Sequence, residues 1–274
     1  MVNINLTSPI IVIGMHRSGT TLLTKMLEVC GVFWGGSKDE YNESIGFQSI
    51  NEKLFAMANA AWDNPEPFES LLSDPRLSGN AESLIRSTLD DGFFKEYFIG
   101  HRPFRYPGFT EEYTFWGWKD PRNIFTLPVW MRFFPDARII HILRNGIDVS
   151  ASLWLRETTR PEGREHPHYS HRCQSQDGCF SLWKTYVVRA MHDVHQFDNA
   201  VEIRFEDLLE NPESIMSFIA DFIGLELDGR LEQASAMIRP ERRFAYIDNP
   251  TLKTFRYRVS KDVLLKELGY SSFL

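Results

Sequence analysis

The sequence predicts an α/β fold of three layers, in which a central parallel sheet is flanked by helices. Three apolar, β-branched runs, PIIVIG, RIIHIL and AVEIRF, have the composition of strands that are buried on both faces. Each run is followed by a stretch with helical spacing, and such alternation is typical of parallel sheets with right-handed crossovers. No linker divides the 274 residues, so residues 1–274 are expected to form a single domain.

The first predicted unit is a strand, a glycine-containing turn and a helix. The strand is PIIVIG, at 9–14, and apolar residues recur at helical spacing from Leu22 to Cys30, with Gly31 as a natural C-terminal cap. A second helical pattern covers 50–62. The pattern then becomes mixed, with AESLIRSTL, at 81–89, as its most helical part.

The next predicted unit begins with YTFWGW, at 113–118, which has the composition of a strand. Asp120 is the expected N-cap of the following helix and Pro121 its first residue. This helix should run through 122–134, with a kink at Pro128.

Two further strands are predicted at 138–143 and 200–205. The first is followed by a helix that starts directly after Arg144 and Asn145, and the second by a short turn and an amphipathic helix that begins near Pro212. Ligands of parallel sheets bind at the carboxyl ends of the strands. The turns GMHRSGTT and RNGIDVSAS both lie at such ends, so they are the expected binding elements.

Composition narrows the class of protein. The net charge of −7 argues against a large nucleic-acid footprint, and no apolar run is long enough to cross a membrane. Three cysteines are too few for a disulfide framework and indicate a reducing compartment. The N-terminus lacks a basic segment followed by an apolar core. The sequence therefore predicts a cytoplasmic protein with no nucleic-acid partner and no membrane span.

The turn GMHRSGTT, at 14–21, predicts a phosphate-binding loop of a P-loop-like fold. Gly14 and Gly19 allow the backbone to curl around an oxyanion, and the following helix offers its unpaired N–H groups. In nucleoside-triphosphate enzymes a lysine of this loop bridges the β- and γ-phosphates, but here Thr20 replaces it and Arg17 supplies the charge. We expect a ligand with a diester-like or mixed-anhydride 5′ group. A glycine turn without any ligand is the alternative.

In four motifs the sequence resembles the sulfotransferases that use 3′-phosphoadenosine 5′-phosphosulfate (PAPS), in a bacterial or tyrosylprotein-like branch. Their 5′-phosphosulfate loop reads like RSGTT, which is 17–21 here, and their 3′-phosphate motif places a serine eight positions after a strand-end arginine, as Ser152 follows Arg144. WKDPR, at 118–122, and IRFEDLLENPE…FIGL, at 203–225, are similar to two further family segments. The motifs follow the family's order.

The resemblance implies a sulfotransferase domain that moves a sulfonate group from PAPS to a hydroxyl or amine of a carbohydrate or small metabolite. Adenosine 3′,5′-bisphosphate would be the product, and no metal would be required. The resemblance assigns cofactor binding to the two turns, that is, to His16, Arg17, Ser18, Gly19, Thr20, Thr21, Arg144 and Ser152. Within this set His16 is expected to shape the turn. Arg242 and Arg243 either reach the 3′-phosphate or are solvated.

The candidate catalytic residues implied by the resemblance are Arg17, Lys119, Glu43 and Glu40. Lys119 is placed like the lysine of the tyrosylprotein branch and would neutralise the bridging oxygen. A lysine at a helix start is electrostatically unfavourable, which favours a functional role.

The resemblance does not assign the general base to a single residue. The cytosolic branch uses a histidine two positions after its lysine, where this chain has Pro121. The tyrosylprotein branch uses a glutamate beyond its loop helix, and the comparable stretch here offers Asp39, Glu40 and Glu43, of which we favour Glu43. Each could equally be a solvated loop carboxylate. Asp120 is a further candidate, although its N-cap role is favoured.

The stretch 157–180 is predicted to be an inserted loop that covers the acceptor site. It holds five potential metal ligands, but their spacing fits no standard zinc pattern, and we expect no metal there. These are His166, His168, His171, Cys173 and Cys179.

Two other functions remain open on the sequence alone. A P-loop small-molecule kinase would need a loop lysine and an acidic strand end, and a non-catalytic nucleotide-binding module would bind without turnover. Aromatic residues in 101–118 and around Trp154 and Trp183 could stack on an acceptor, although aromatics are more often core. The sequence does not predict the acceptor or the oligomeric state.

Overall fold

The computed structural model describes residues 8–92, 94, 98, 115–159, 169–227 and 229–270. Its centre is a parallel sheet whose strands are β1 Ile10–Ile13, β2 Gly117–Lys119, β3 Arg138–Leu143 and β4 Ala200–Arg204. The spatial order is β2-β1-β3-β4. Ile10 pairs with both Gly117 and Arg138, and Ile139 pairs with Ala200. The predicted parallel α/β fold is confirmed.

Helices pack on both faces of this sheet. In chain order the described helices are α1 Thr20–Val29, α2 Ile45–Met57, α3 Glu69–Ser73, α4 Pro75–Asp90, α5 Asn123–Phe133, α6 Gly146–Thr158, α7 Gln176–Val194, α8 Phe205–Glu210, α9 Pro212–Ile223, α10 Leu231–Ser235, α11 Lys253–Val259 and α12 Val263–Glu267. Among the described residues, no helix is both long enough and apolar enough to cross a membrane.

The two-residue period of the strands divides the core into two clusters. On β1, Ile11 and Ile13 point into the cluster with α2, α4, α5, α6 and α7, whereas Ile10 and Val12 point into the cluster with α1, α8, α9 and α10. Consecutive strand residues face opposite sides, so an uninterrupted apolar run is what a doubly covered strand requires. The strand ends then lie between two packed layers, which holds the connecting turns in place.

Helix α2 begins five residues earlier than predicted and ends before the predicted limit of 62. Its first turn contains Gly46, a poor helix former, which hid the start in the sequence. Tertiary packing overrides this preference, because the Phe47 ring stacks on Trp118 with ring centroids 4.0 Å apart. The early start places Glu43 two residues before the helix.

Helix α5 begins at Asn123 rather than at Pro121, and its N-cap is Arg122 rather than Asp120. The Asp120 carboxylate accepts a hydrogen bond from the backbone N–H of Arg122 at 2.8 Å and so closes a turn in front of the helix. Pro128 lies inside α5, as expected. Strand β2 covers only part of the predicted 113–118, whose first two residues lie outside the described part.

A long helix was not predicted at all. Helix α7 has 19 residues, and Ser175 caps it by accepting a hydrogen bond from the N–H of Gly178 at 3.0 Å. It includes the last five residues of the predicted loop 157–180, and α6 includes the first two. Likewise, the predicted turn after β4 is the short helix α8. A loop covering the acceptor site remains a prediction, confined to 159–175.

Candidate functional site

A cleft of about 630 Å³ opens where the carboxyl ends of the strands meet their turns. Positive side chains dominate its described lining: there are eight lysines and arginines against three acidic residues. The basic ones are Arg17, Lys25, Lys119, Arg122, Arg144, Arg156, Arg239 and Arg242, and the acidic ones are Asp39, Glu40 and Glu43. In a chain with a net charge of −7, this concentration of cations marks an anion-binding site.

The turn after β1 has a backbone that only a few residue types adopt. Arg17 has φ 70° and Gly19 has φ 98°, so both lie in the left-handed region. A Cβ on Gly19 would lie 2.2 Å from the ring of Phe205, so only glycine fits there. Helix α1 starts directly afterwards, and no side chain caps it at Gly19. Its first N–H groups are therefore available to an anion.

The two sequence motifs meet in this cleft. The Nε of Arg17 donates a hydrogen bond to the Ser152 hydroxyl at 2.9 Å, and the Nη1 of Arg144 donates to the Arg17 carbonyl at 3.0 Å. Ser18, Thr20 and Thr21 continue the loop into α1. The structure thus brings all eight residues assigned to cofactor binding to two adjoining turns and to the helices α1 and α6 that follow them. Their role stays a prediction.

Arg144 is held rigidly. Its guanidinium lies 4.4 Å from the centroid of the Phe205 ring and 3.7 Å from the Asp148 carboxylate. Its Nη2 donates to the Arg242 carbonyl at 3.2 Å. Burial lowers the pKa of Arg144, and burial together with the charge of Arg156 lowers the pKa of Arg17. The surrounding carboxylates therefore do not fully balance these two positive charges, and a bound anion would stabilise them.

Buried polar groups position this second turn. Asn145 caps α6 through the N–H of Ile147 at 2.8 Å, and the Glu206 carboxylate accepts the N–H of Asn145 at 2.8 Å. The hydroxyl of Tyr270 donates to the same carboxylate at 3.0 Å. Sequence reasoning missed Glu206 as a supporting residue, although it lies inside the late family-like segment. The turn is therefore fixed before any ligand binds.

Lys119 and Glu43 form a buried ion pair at the end of β2. The Lys119 Nζ lies 2.8 Å from Oε1 of Glu43, and Nζ also donates to the Tyr41 carbonyl at 2.7 Å. The Asp39 carboxylate shapes the turn by accepting the N–H groups of Tyr41 and Glu43 at 2.9 and 2.8 Å. Glu40 is exposed and outside this pair. Of the predicted carboxylates, Glu43 is thus the one in contact with Lys119.

The Glu43 carboxyl is poised to exchange a proton near neutral pH. Burial raises its pKa to about 7, the charges of Asp120 and Asp39 add to this, and Lys119 opposes it. A carboxyl with such a pKa is a suitable general base at physiological pH.

The raised pKa predicts how stability depends on pH. The folded state holds the Glu43 proton up to a higher pH than the unfolded chain does, so this stabilisation is complete below about 4.5 and is lost as the pH rises through about 7. Relative to Glu43→Gln, the free energy of unfolding of the wild type should fall by about 1–3 kcal/mol between pH 5 and pH 8. Urea unfolding at both pH values measures this. Parallel pH profiles for the two proteins would contradict it, and Glu40→Gln is the matched exposed control.

Asp120 is occupied by a structural network, which argues against a role as the general base. Its Oδ2 accepts from the Asn51 amide at 3.0 Å and its Oδ1 from the Arg122 guanidinium at 2.9 Å. The amide oxygen of Asn51 in turn accepts from Thr126 and Trp130, at 3.0 and 2.9 Å. This network ties α2 to α5 immediately behind Lys119.

His16 is held in the loop by aromatic rings. Its ring meets Trp62 edge to face at 5.0 Å and Tyr186 at 5.9 Å. Burial and the charge of Arg156 keep its pKa well below the usual value, so the imidazole is neutral. This position at the cleft wall agrees with a role in shaping the turn.

The other predicted residues are dispersed. Cys173 and Cys179 are buried around the start of α7, with the Cys179 Sγ 3.5 Å from the Cys173 carbonyl, and His171 is exposed. His166 and His168 lie outside the described residues. Within the described ranges, no three His, Cys, Asp or Glu side chains are grouped as a metal site requires. Arg242 lines the cleft, whereas Arg243 pairs with Glu210.

Among the residues of the cleft wall that sequence reasoning missed are Trp62 and Arg156. Arg156 could have been found, because it follows Ser152 by four residues and so shares its helix face. Trp62 carries no such signal, since it lies in an irregular connection after α2.

Comparison with known proteins identifies relatives of this arrangement. A model of the sulfotransferase family matches residues 9–229, which is most of the chain. A search of curated protein sequences found no match.

Solved structures show the same fold. The sulfotransferase domain from the curacin biosynthetic pathway is 15% identical, with a TM-score of 0.53 over 97% of this chain and 98% of that one. Sulfotransferase STF1 from Mycobacterium tuberculosis H37Rv is 17% identical, with a TM-score of 0.51 over 86% and 72%. Sulfotransferase STF9 from Mycobacterium avium is 14% identical, with a TM-score of 0.50 over 84% and 67%. At these identities the likeness concerns the fold.

Proposed function

The chain belongs to the sulfotransferase family, and from this membership we propose that it transfers the sulfonate group of PAPS to a hydroxyl or amine of a carbohydrate or small metabolite. One observation carries the choice of donor. Arg17, in a loop without the lysine of triphosphate enzymes, is hydrogen-bonded to Ser152, and its carbonyl is hydrogen-bonded to Arg144. Two anion-binding turns are thereby joined side by side, as a ligand with phosphates at two ends requires.

The residues present fit such a donor. Gly19 allows the loop backbone to approach a phosphate, and α1 presents uncapped N–H groups there. Arg17 and the amides of residues 19–21 would hold the 5′-phosphate, since the Ser18 N–H donates to the Met15 carbonyl at 3.0 Å. Arg144 and Ser152 would hold the 3′-phosphate near the N-terminus of α6. The excess of cations in the cleft matches the several negative charges of the donor.

Lys119 and Glu43 would act in the transfer step, Lys119 on the donor and Glu43 on the acceptor. The bound donor supplies an activated sulfonate, and transfer forms a bond from the acceptor oxygen or nitrogen to sulfur and breaks the bond from sulfur to the bridging oxygen. Lys119 would neutralise charge on that bridging oxygen, and Glu43 would take the acceptor's proton. Because the two side chains are already in contact, a proton reaching Glu43 weakens its attraction for Lys119. The lysine is then freer to stabilise the leaving group.

Two other functions lack these supports. A kinase would need the loop lysine that Thr20 replaces, and an acidic residue where Arg144 follows β3. A non-catalytic module would bind adenosine 3′,5′-bisphosphate without turning over PAPS on any acceptor. The buried Lys119–Glu43 pair argues against it, since a pure binding module has no need of a base with a raised pKa.

Calorimetric titration with adenosine 3′,5′-bisphosphate, ATP and adenosine 5′-monophosphate, each with and without magnesium, tests the donor. We expect tight, magnesium-independent binding of the bisphosphate alone. Arg144→Ala should weaken it by about ten- to a hundredfold, because charge-assisted hydrogen bonds to a phosphate are lost. The control is Arg243→Ala, which removes an arginine paired with Glu210. Binding of ATP only with magnesium, or of no nucleotide, would refute the proposed donor.

A further inference from the structure

Helix α6 carries three polar side chains on one face at intervals of four residues, and the last of them, Arg156, lines the cleft. Asp148 lies beside Arg144, and Ser152 accepts the hydrogen bond from Arg17. Arg156 follows one turn later, which is about 6 Å further along the helix axis. The first two positions therefore accompany the two anion-binding turns of the proposed donor site. Arg156 lies beyond them, at the end opposite Arg144.

The surroundings of Arg156 are fixed in advance. Its guanidinium lies over the indole face of Trp62, 5.1 Å from the ring centroid, and its Nε donates to Oε1 of the buried Glu157 at 2.8 Å. Trp62 is itself held, because its carbonyl accepts the Tyr186 hydroxyl at 2.7 Å. A stacked and hydrogen-bonded arginine has lost most of its rotamer freedom before any ligand arrives.

The outer edge of the Arg156 guanidinium has no hydrogen-bond partner among the described residues. Within the described part of the chain, its Nη1 and Nη2 donate no hydrogen bond to any residue, and the side chain retains 16% of its exposure. The residue lines the cleft. Two parallel N–H donors in a fixed plane match the two oxygens of a carboxylate, phosphate or sulfate group.

The local charge supports an anion at this place. Arg156 contributes the largest charge effect to the lowered pKa of both His16 and Arg17. After Arg156, the charges that lower the pKa of His16 most are those of Arg122, Lys119 and Arg17, all of them positive. Four carboxylates nearby are paired with cations: Glu157 with Arg156, Asp120 and Glu52 with Arg122, and Glu43 with Lys119. Of the other cleft carboxylates, Asp39 accepts backbone N–H groups and Glu40 lies exposed at the rim.

We propose that the acceptor carries an anionic group, a carboxylate or a phosphate or sulfate ester, and that Arg156 binds this group through Nη1 and Nη2 against the face of Trp62. This inference rests on the proposed function, because it assigns the end of the cleft beyond the donor to the acceptor. It makes Arg156 a specificity-determining residue. The hydroxyl or amine of the same molecule is then directed toward Glu43 and Lys119.

Binding of matched acids and amides to the bisphosphate-saturated protein tests the inference. The probes are 4-hydroxyphenylacetate against 4-hydroxyphenylacetamide, glucuronate against glucuronamide, and glucose 6-phosphate against glucose, all titrated by calorimetry. In at least one pair the charged member should bind tenfold or more tightly. Arg156→Gln should abolish that preference while leaving the bisphosphate affinity and the affinity for the neutral member within about threefold.

Arg258→Gln is the control for net charge, since Arg258 pairs with Asp177 at the exposed surface. It should retain the full preference for the charged member. A preference that persists in Arg156→Gln, or no preference in any pair, would overturn the inference. An unchanged bisphosphate affinity also shows that Arg156→Gln is folded. If the wild type does not bind the bisphosphate, the proposed donor is refuted instead. Failure of this inference and failure of the proposed function are therefore distinguishable.

Discussion

Replacing Glu43 by glutamine is expected to lower kcat by about 10²- to 10⁴-fold, the usual contribution of a positioned general base. Glutamine preserves the size of the side chain and can still accept the hydrogen bond from Lys119 through its amide oxygen. It cannot take a proton from the acceptor. The rate is measured as transfer of label from ³⁵S-PAPS to an acceptor found by screening hydroxylated acids. The affinity for adenosine 3′,5′-bisphosphate should not change.

The pH profile sharpens this expectation. Because the pKa of Glu43 is raised to about 7, kcat/KM of the wild type should rise with pH through that region as the carboxylate forms. The residual activity of Glu43→Gln should lack this limb. Glu40→Gln, which alters an exposed carboxylate at the rim of the same cleft, should behave like the wild type. If Glu40→Gln loses activity and Glu43→Gln retains it, the two assignments must be exchanged.

The fold was predictable because its strands have a local signature. A strand covered on both faces needs mostly apolar residues, and β1 shows this directly in Ile10–Ile13. In β3 the exceptions are Arg138, which is exposed at the start of the strand, and His141, which pairs with Glu202. The loop between β1 and α1 was predictable for a related reason, since the positive φ at Gly19 permits few other residues. Features fixed by local backbone geometry can be read from a single chain.

Features fixed by distant contacts could not be read in this way. The pairing of Glu43 with Lys119 joins residues 76 positions apart, and the sequence gives only their types and not their distance. Helix α7 was missed because its amphipathic pattern begins after a polar stretch rich in histidine and cysteine. The relevant property of Cys173 and Cys179 in that stretch is their burial in the core and not their capacity to bind metal, and burial of this kind cannot be recognised from the sequence. Candidate roles could be predicted, whereas the contact of Glu43 rather than Glu40 with Lys119 became visible only in the structure.

Replacing Lys119 by methionine is expected to affect activity and stability together. Methionine has a similar length and suits the buried position, but it carries no charge to place on the bridging oxygen. We expect kcat to fall by about 10²- to 10³-fold, the cost of removing one preorganised electrostatic contact. The protein should also lose about 3–5 kcal/mol of folding free energy, because Glu43 is left as a buried carboxyl without its cation. Label transfer and urea unfolding at pH 8 measure the two effects.

The double variant Lys119→Met, Glu43→Gln separates these two effects. With the unpaired carboxyl removed, much of the lost stability should return, so the two substitutions should be strongly non-additive in the free energy of unfolding. Activity should not return, because neither the cation nor the base is present. Additive stability effects would show that the 2.8 Å contact between Nζ and Oε1 contributes little to the fold. Restored activity would refute the roles assigned to both residues, since a purely structural pair can be replaced by a neutral one without loss of catalysis.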